Sequence, residues 1–372
     1  MYLFSSIQYS IGDNVVMETL NNPGQTTSIL GYLTYPDDFN TSSGLNQCWA
    51  KDTTDNANSN EFLESAAVAA DAAIVPGHFT PRKNPNYNQG FAIRRSYLLN
   101  ADDNTRGNFS FCIPFTHIFG FSEYQKIIYN VKHSLRFTRA ADTLALHRAN
   151  GVVDGKVELI NISWKLPSIQ PSIESKIKLM EQIKNKISYP IYFNGRSDQH
   201  TSVPQDVMSF DWRLSVRSGI QKPRWIIVGF QTNKKTTQEQ NPAVFNHLNL
   251  ERCCVQLNDD VYPKKVESVN FGINDYSVMY KTVDDFKREY YTINNLIGRS
   301  QINPATFKSL FPIIVFNVKN QSEELKTGVI DILLNFFFRQ GVPADTHAYA
   351  VILSDRIFKA DSDGQNIKLL SY

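Results

Sequence analysis

The sequence predicts an all-β protein built as two consecutive β-sandwiches, with a few short helices in the connections. Three observations predict it. The first is the run of residues 209–217, in which Phe210, Trp212, Leu214 and Val216 alternate with Ser209, Asp211, Arg213, Ser215 and Arg217. Successive side chains leave a pleated backbone on opposite faces, so a period of two marks a half-buried strand. The turn at Gly219 and Pro223 follows, and then residues 224–231 are apolar on both faces, as in a strand interior to a packed sheet. The second is composition: aromatic residues make up 12%, with Phe 24 and Tyr 17, the types that pack well on a pleated surface. The third is punctuation. Gly, Pro and Asn divide each half into about eight short strand-like pieces, the spacing of sandwich folds. At 372 residues, of which 42% are hydrophobic, the chain is long enough for two real cores.

In order, residues 1–34 hold weak strand signals around Tyr2-Phe4, Val15-Met17 and Ile29-Leu33, separated by Gly12-Asp13 and by Asn21 to Gly24. Residues 35–88 shift to Asp, Asn, Thr and Ser, and read as a long polar insertion at a sandwich end, where loops grow without disturbing the core. Residues 61–73 are Ala-rich and predict one short helix. On this reading the insertion belongs to an exposed tower or a subunit contact, and deleting residues 51–60 leaves each sandwich folded. Strands are expected at 90–99, 108–113, 127–131, 134–139 and 156–166, the last with Ile160, Ile162, Trp164 and Leu166 on one face. Pro167 and Pro171 end it. Ile173, Ile177, Met180, Ile183 and Ile187 then recur at helical spacing, predicting a linker helix over 172–187 that packs across one end of the first sandwich. The division expected is 1–187 for the first unit and 188–372 for the second.

The second half repeats the logic. Strands are expected at 207–217, 224–232, 253–257 and 266–271. A helix over 283–296 is started by Thr282 and stopped near Gly298. Asn303-Pro304 reads as an N-cap with Pro at the first helical position, so 305–310 is a second short helix. Three strong strands close the chain at 311–318, 327–339 and 346–358. In the middle one, Ile330, Ile332, Leu334, Phe336 and Phe338 share a face.

Several patterns bear on chemistry. Gly151-Val152-Val153-Asp154-Gly155-Lys156 is one residue short of a phosphate loop and precedes a strand, so it reads as a hairpin turn. Asp361-Ser362-Asp363-Gly364 opens like a calcium loop but lacks the later Glu, and also reads as a turn. The histidines (His78, His117, His133, His147, His200, His247, His347) form no H-x-x-x-H pair. Cys48, Cys112, Cys253 and Cys254 show no metal spacing, and the adjacent pair points to opposite strand faces; free thiols in a reducing compartment are expected. The sequons at Asn40, Asn108, Asn161 and Asn320 then carry no weight. Arg94, Arg95, Arg136 and Arg139, or Arg213, Arg217 and Arg224, are candidates for a basic groove, although alternation with acids and serines favours a solvated or subunit-facing sheet. Trp164, Trp212 and Trp225 sit at core spacing rather than as a sugar platform. No catalytic, cofactor or metal residue is assigned, and no cofactor is expected. A net charge of +2 argues against coating nucleic acid. With no apolar run of 18 residues and no signal-peptide pattern at Met1 to Ser6, a soluble chain made in the cytoplasm is expected.

The series Phe210-Asp211-Trp212-Arg213-Leu214, Lys222 to Thr232 and Gln240-Asn241-Pro242-Ala243-Val244-Phe245 resembles the double jelly-roll family. The members in question are the major capsid proteins of Polinton/Maverick-type and adintovirus-like DNA viruses, and their relatives in invertebrate genomes. Further pieces match in the same order: Phe111-Cys112-Ile113-Pro114, His117 to Phe121, Ser134 to Arg139, Gly155 to Glu158, Ser163-Trp164, Leu257-Asn258, Tyr262-Pro263, Val342-Pro343-Ala344 and Ile352 to Arg356. The likeness covers about residues 86–372 of the chain. It implies two jelly rolls and a structural role in the virion. Homotrimers would form pseudo-hexagonal capsomers of an icosahedral shell, meeting neighbouring capsomers and a minor (penton) capsid protein, with no sequence-specific nucleic acid binding. The chain opens almost directly on strand-like residues, a departure that counts against an arm reaching an inner membrane or a neighbouring capsomer. Two other readings stay open: a carbohydrate-binding or hydrolytic double sandwich, and a host-domesticated capsid relative.

Overall fold

In a computed structural model the described residues are 1–12, 15–63, 82–99, 107–128, 131–215, 222–293, 300–321, 330–361 and 367–369. Strands Phe4–Ile11 (β1), Val15–Leu20 (β2) and His133–Arg139 (β3) form an antiparallel sheet in the order β2-β1-β3. Between β2 and β3 lie helices Pro23–Thr34 (α1) and Gln89–Leu98 (α2). Pro23 opens α1 at a position where its missing N–H costs nothing. After β3 come the short helix Asp142–Ala145 (α3) and the linker helix Ile173–Lys184 (α4).

The remaining strands are Ser188–Val203 (β4), Ser209–Leu214 (β5), Pro223–Thr232 (β6), Leu250–Leu257 (β7), Asp260–Tyr262 (β8), Ile314–Asn317 (β9), Ile332–Phe338 (β10), Thr346–Asp361 (β11) and Ile367–Leu369 (β12). Helices Ser277–Tyr290 (α5) and Pro304–Ser309 (α6) lie between β8 and β9. One sheet runs β5-β10-β7-β8; the other runs β12-β11-β6-β9, with β4 on the far edge of β11. The two sheets face each other through Phe230, whose ring meets Phe336 at 5.0 Å and Phe338 at 5.8 Å, both edge-on. The alternation in β5 appears as expected: Trp212 and Leu214 are buried, Asp211 and Arg213 exposed. So does that of residues 330–338, where all five alternate side chains are inside.

Two apolar cores result. The larger gathers β5, β6, β7, β9, β10 and the first half of β11, and takes in Ile29, Leu30, Tyr32 and Leu33 of α1 and Val283 and Phe286 of α5. The smaller gathers Ile7, Tyr9, Ile11, Met17 and Leu20 with Phe119 and Phe121. Strands β4 and β11 pair over sixteen residues and serve both: Ile191, Phe193, Phe358 and Ala360 enter the smaller core, Val203 and residues 348 and 350–353 the larger.

Several expected elements differ. Residues 90–99 are not a strand but α2, because the buried Asn88 side chain caps the helix by accepting from Phe91 N at 3.2 Å. Residues 108–113 and 156–166 run without a ladder partner, and part of 127–131 lies outside the described residues. Residues 266–271 form no strand; Val269 N reaches Glu251 O, and Asn270 instead caps a 3₁₀ turn by accepting from Gly272 N. The expected 283–296 helix starts earlier, as α5. Thr282 lies inside it and turns its hydroxyl back to Met279 O rather than capping. Helix α6 forms with the expected Asn303 cap. The Ala-rich helix over 61–73 falls mostly outside the described residues.

The polar insertion is not a free loop where it is described. Asp52 is buried and accepts from Arg94 at 2.6 Å and from Asn241 at 2.8 Å, while Asn88 donates to Thr54 O and Asn56 O. Residues 51–60 are therefore woven into the body of the protein, contrary to the expectation that they are dispensable. Helix α4, finally, has the expected residues and its Ser172 cap, but no residue of it is buried. It packs across no sandwich.

Candidate assembly surface

The residues that could carry chemistry are dispersed. The chain turns at Ala149 to Val152, where Val152 N donates to Ala149 O; beyond the turn Gly155 N donates to Gln238 Oε1 at 2.8 Å, and Arg148 bridges Asp154 at 2.7 Å and Glu239 at 2.8 Å. No helix follows it, so a phosphate has no helix N-terminus to meet. Asp361 accepts from the Ser188 hydroxyl at 2.7 Å; residues 362–366 lie outside the described residues.

Each described histidine is occupied separately. His117 meets Gln47 at 2.9 Å and His133 meets the Tyr9 hydroxyl at 2.7 Å, while His247 stacks on Phe271 at 4.5 Å. His147 lies 3.3 Å from Gln238 O, His200 3.1 Å from Asn22 and His347 3.3 Å from Asp345. Burial lowers the pKa of all six. His78 lies outside the described residues. Among the described residues no three His, Cys, Asp or Glu side chains gather as a metal would need, and no helix is long and apolar enough to cross a membrane. Cys253 is buried and Cys254 half-buried on opposite faces of β7.

Among the described residues, four of the candidate arginines are each held by a separate acid. Arg94 is held by Asp52, Arg139 by Asp142, Arg213 by Asp331 at 3.1 Å and Arg224 by Asp355. Arg217 lies outside the described residues. Trp212 and Trp225 are buried in the larger core, Trp225 with Phe286 edge-on at 4.8 Å. Trp164 is half-buried against Phe115 at 5.6 Å and Tyr9 at 6.4 Å.

What sequence reasoning missed is a buried polar seam between the two cores. Glu18 of β2 has no exposed surface, and its carboxyl accepts from Arg196 N at 2.6 Å, Phe121 N at 2.8 Å and Gly120 N at 3.2 Å. Burial pushes its pKa up, and Arg356 together with the Phe121 and Arg196 N–H groups opposes that. Arg356 donates to Met17 O, and Arg196 bridges Glu123 at 2.8 Å. Gly120 is required by close approach, since a Cβ there would lie 1.8 Å from Asn194 O. Two residues beyond Arg196 along β4, Asp198 accepts from Asn21 N at 2.7 Å and from Asn22 N at 2.5 Å. These groups tie the N-terminal sheet to β4 and β11. The only signal in the sequence was a carboxylate at an apolar position of the alternation Val16-Glu18-Leu20.

On the outside, one region departs from an ordinary surface. Residues 156–166 are extended and exposed, with Ile160 90% and Ile162 58% accessible. They run antiparallel beside β3: Val157 O accepts from Arg139 at 3.0 Å, and the Trp164 ring meets His133 at 6.4 Å. Helix α4 follows with its apolar residues in water, Ile173 at 80% and Met180 at 58%. The third side of the region is β3 itself, an edge strand whose only ladder partner among the described residues is β1. What the arrangement offers chemically is apolar surface and a stretch of backbone outside any ladder among the described residues.

A family model described as a double jelly roll-like domain matches residues 88–358. No curated protein matches the sequence. Among solved structures, the chain is similar to one in the Sputnik virophage determined by cryo-EM, at 11% identity and a TM-score of 0.43, covering 100% of this chain and 74% of that one. It is also similar to PBCV-1 VP54 fitted into a reconstruction of Sputnik, at 7% identity and a TM-score of 0.41 over 100% and 84% of the two chains. A third is the mavirus major capsid protein, at 9% identity and a TM-score of 0.27 over 49% of this chain and 42% of that one. Likenesses this distant carry no argument on their own.

Proposed function

This chain belongs to the double jelly roll-like domain family, and from that membership we propose that it is a structural protein of a virion. It is a major capsid protein whose homotrimers form pseudo-hexagonal capsomers of an icosahedral shell. The observation that carries the reading is the family match, which runs from the cap of α2 into the last part of β11. The ordered resemblance of residues 86–372 to capsid proteins supports the same reading.

The physical properties of the chain are compatible with that work. Two packed blocks per chain give six per trimer, and six similar blocks around an axis fill a hexagonal lattice from one gene. The seam at Glu18, Arg196 and Arg356 fastens the blocks to each other, which a shell under load requires. With a net charge of +2, long-range repulsion between copies is small. Its partners are then further copies of itself, neighbouring capsomers and a minor capsid protein at the vertices. The role is one of assembly rather than catalysis, the place of action the virion, and the place of synthesis the host cytoplasm. The division into 1–187 and 188–372 stands as part of this proposal, with β4 and β11 shared between the blocks. Trp212 and Trp225 are spent on the core, so no observation favours the carbohydrate-binding reading.

Sedimentation of the purified chain tests the proposal. A species near three times 42.4 kDa that persists on dilution is expected; a strict monomer at micromolar concentration contradicts it.

A further inference from the structure

We propose that residues 156–187 form the face on which a second copy of this chain seats. The inference deepens the shell reading, on which it rests, by naming the surface that holds the copies together.

Half of the exposed large hydrophobic side chains among the described residues, eleven of 22, fall between Val152 and Ile187. Singly scattered apolar residues need no explanation, but a patch concentrated in about a tenth of the chain does. Its two parts are also structurally unfinished. Helix α4 has twelve residues and none is buried, while Ile173, Ile177 and Met180 repeat along one stripe. An isolated helix of that length is marginal in water, and proteins stabilise such helices by burying the amphipathic face. The extended segment before it puts Ile160 and Ile162 into water, and among the described residues no backbone hydrogen bond joins it to β3. A strand-patterned segment outside any ladder, lying along an edge strand that among the described residues is laddered on its β1 side alone, leaves backbone groups open to a partner.

The amount of surface fits a copy of the chain. A fully buried aliphatic side chain removes on the order of 60–120 Å² from water. The nine of them within residues 156–187, from 42% to 90% exposed, therefore supply roughly 300–700 Å² of apolar surface, in line with the apolar half or more of the about 800 Å² per partner in a stable interface. The stripe of Ile173, Ile177 and Met180 reaches a charge only at Lys184 in the last turn, and its flanks hold both signs, Lys176 on one side and Glu174 and Glu181 on the other. In a three-membered ring the face must meet a different surface of the next copy, because a patch that pairs with itself closes at two.

The test uses the full chain with Ile173→Asp/Ile177→Asp, and separately Ile160→Asp, with sedimentation across concentration and hydrogen exchange of the α4 amides. All these side chains are exposed within one copy, so the variants keep the native near-ultraviolet spectrum. The inference expects the assembly midpoint to move to at least about 100-fold higher concentration. It also expects α4 amides to be protected in the wild-type assembly and unprotected in the dilute monomer. Variants that assemble at wild-type concentrations overturn the inference and leave the shell reading standing. So do α4 amides protected in the monomer, which mean that the chain covers its own stripe, or variants that lose the native spectrum. A wild-type chain that never associates overturns the shell reading and this inference together.

Discussion

Replacing Trp212 by Ala tests the facing of the sheets, on which the larger core depends. The side chain is 8% exposed, lies opposite Leu334 across the β5–β10 ladder, and sits 6.5 Å from the Phe210 ring. Truncating a large aromatic in such a site removes its burial and leaves a cavity, at a cost of about 3–5 kcal/mol. The next residue is the control. Arg213 has a side chain 70% accessible, and its partner Asp331 is 47% accessible at 3.1 Å. An exposed pair of this kind contributes about 0.2–1 kcal/mol. With roughly 2–4 °C per kcal/mol for a unit of 150–250 residues, Trp212→Ala lowers the melting temperature by about 6–20 °C and Arg213→Ala by less than about 4 °C. Calorimetry on both variants, held below the concentration at which copies associate, separates the two. Equal losses would mean that β5 is turned the other way and that the larger core has been misread.

The seam and the insertion give three further expectations. Burial raises the Glu18 pKa, so the folded state holds that proton more tightly. Its contribution is therefore full below the unfolded value and is lost as pH rises through the folded one. The melting-temperature advantage of wild type over Glu18→Gln should shrink from pH 4 upward, and an advantage that grows with pH would show that the ionised form is the favoured one. Gly120→Ala brings a Cβ against Asn194 O and should cost more than about 2 kcal/mol, whereas Gly151→Ala, with φ at +76° and nothing within 4 Å, should cost about 1 kcal/mol, both read from urea midpoints. Deleting residues 51–60 removes Asp52 from Arg94 and Asn241, so the deletion should abolish the cooperative melt; a normal melt would mean that the Asp52 contacts are dispensable.

Legibility followed period. Where one face of a strand is buried and the other wet, as in residues 209–214 and 330–338, alternation placed every side chain correctly. Residues 224–231 were legible because an interior strand is apolar on both faces. The misses have separate causes. Residues 90–99 alternate weakly, and a single capping side chain, Asn88, decides for helix. Thr282 resembles a helix start, but a threonine inside a helix satisfies its hydroxyl on the preceding turn. The insertion looked like solvent-facing loop because Asp52 and Asn88 are polar, yet both are buried with their hydrogen bonds satisfied by distant segments. The same applies to Glu18, whose three N–H donors come from elements about a hundred residues or more away. The helix over 172–187 was read correctly as a helix and wrongly as packed, because its periodicity announces a partner without saying which molecule supplies it.

Negative-stain imaging of the purified chain tests the central claim most directly. A capsid protein of this family should appear as uniform particles with a pseudo-hexagonal outline, each holding three copies and six blocks, at concentrations where the sedimenting mass is three times 42.4 kDa. A field of separate two-lobed particles under the same conditions would contradict the claim that this chain builds a shell.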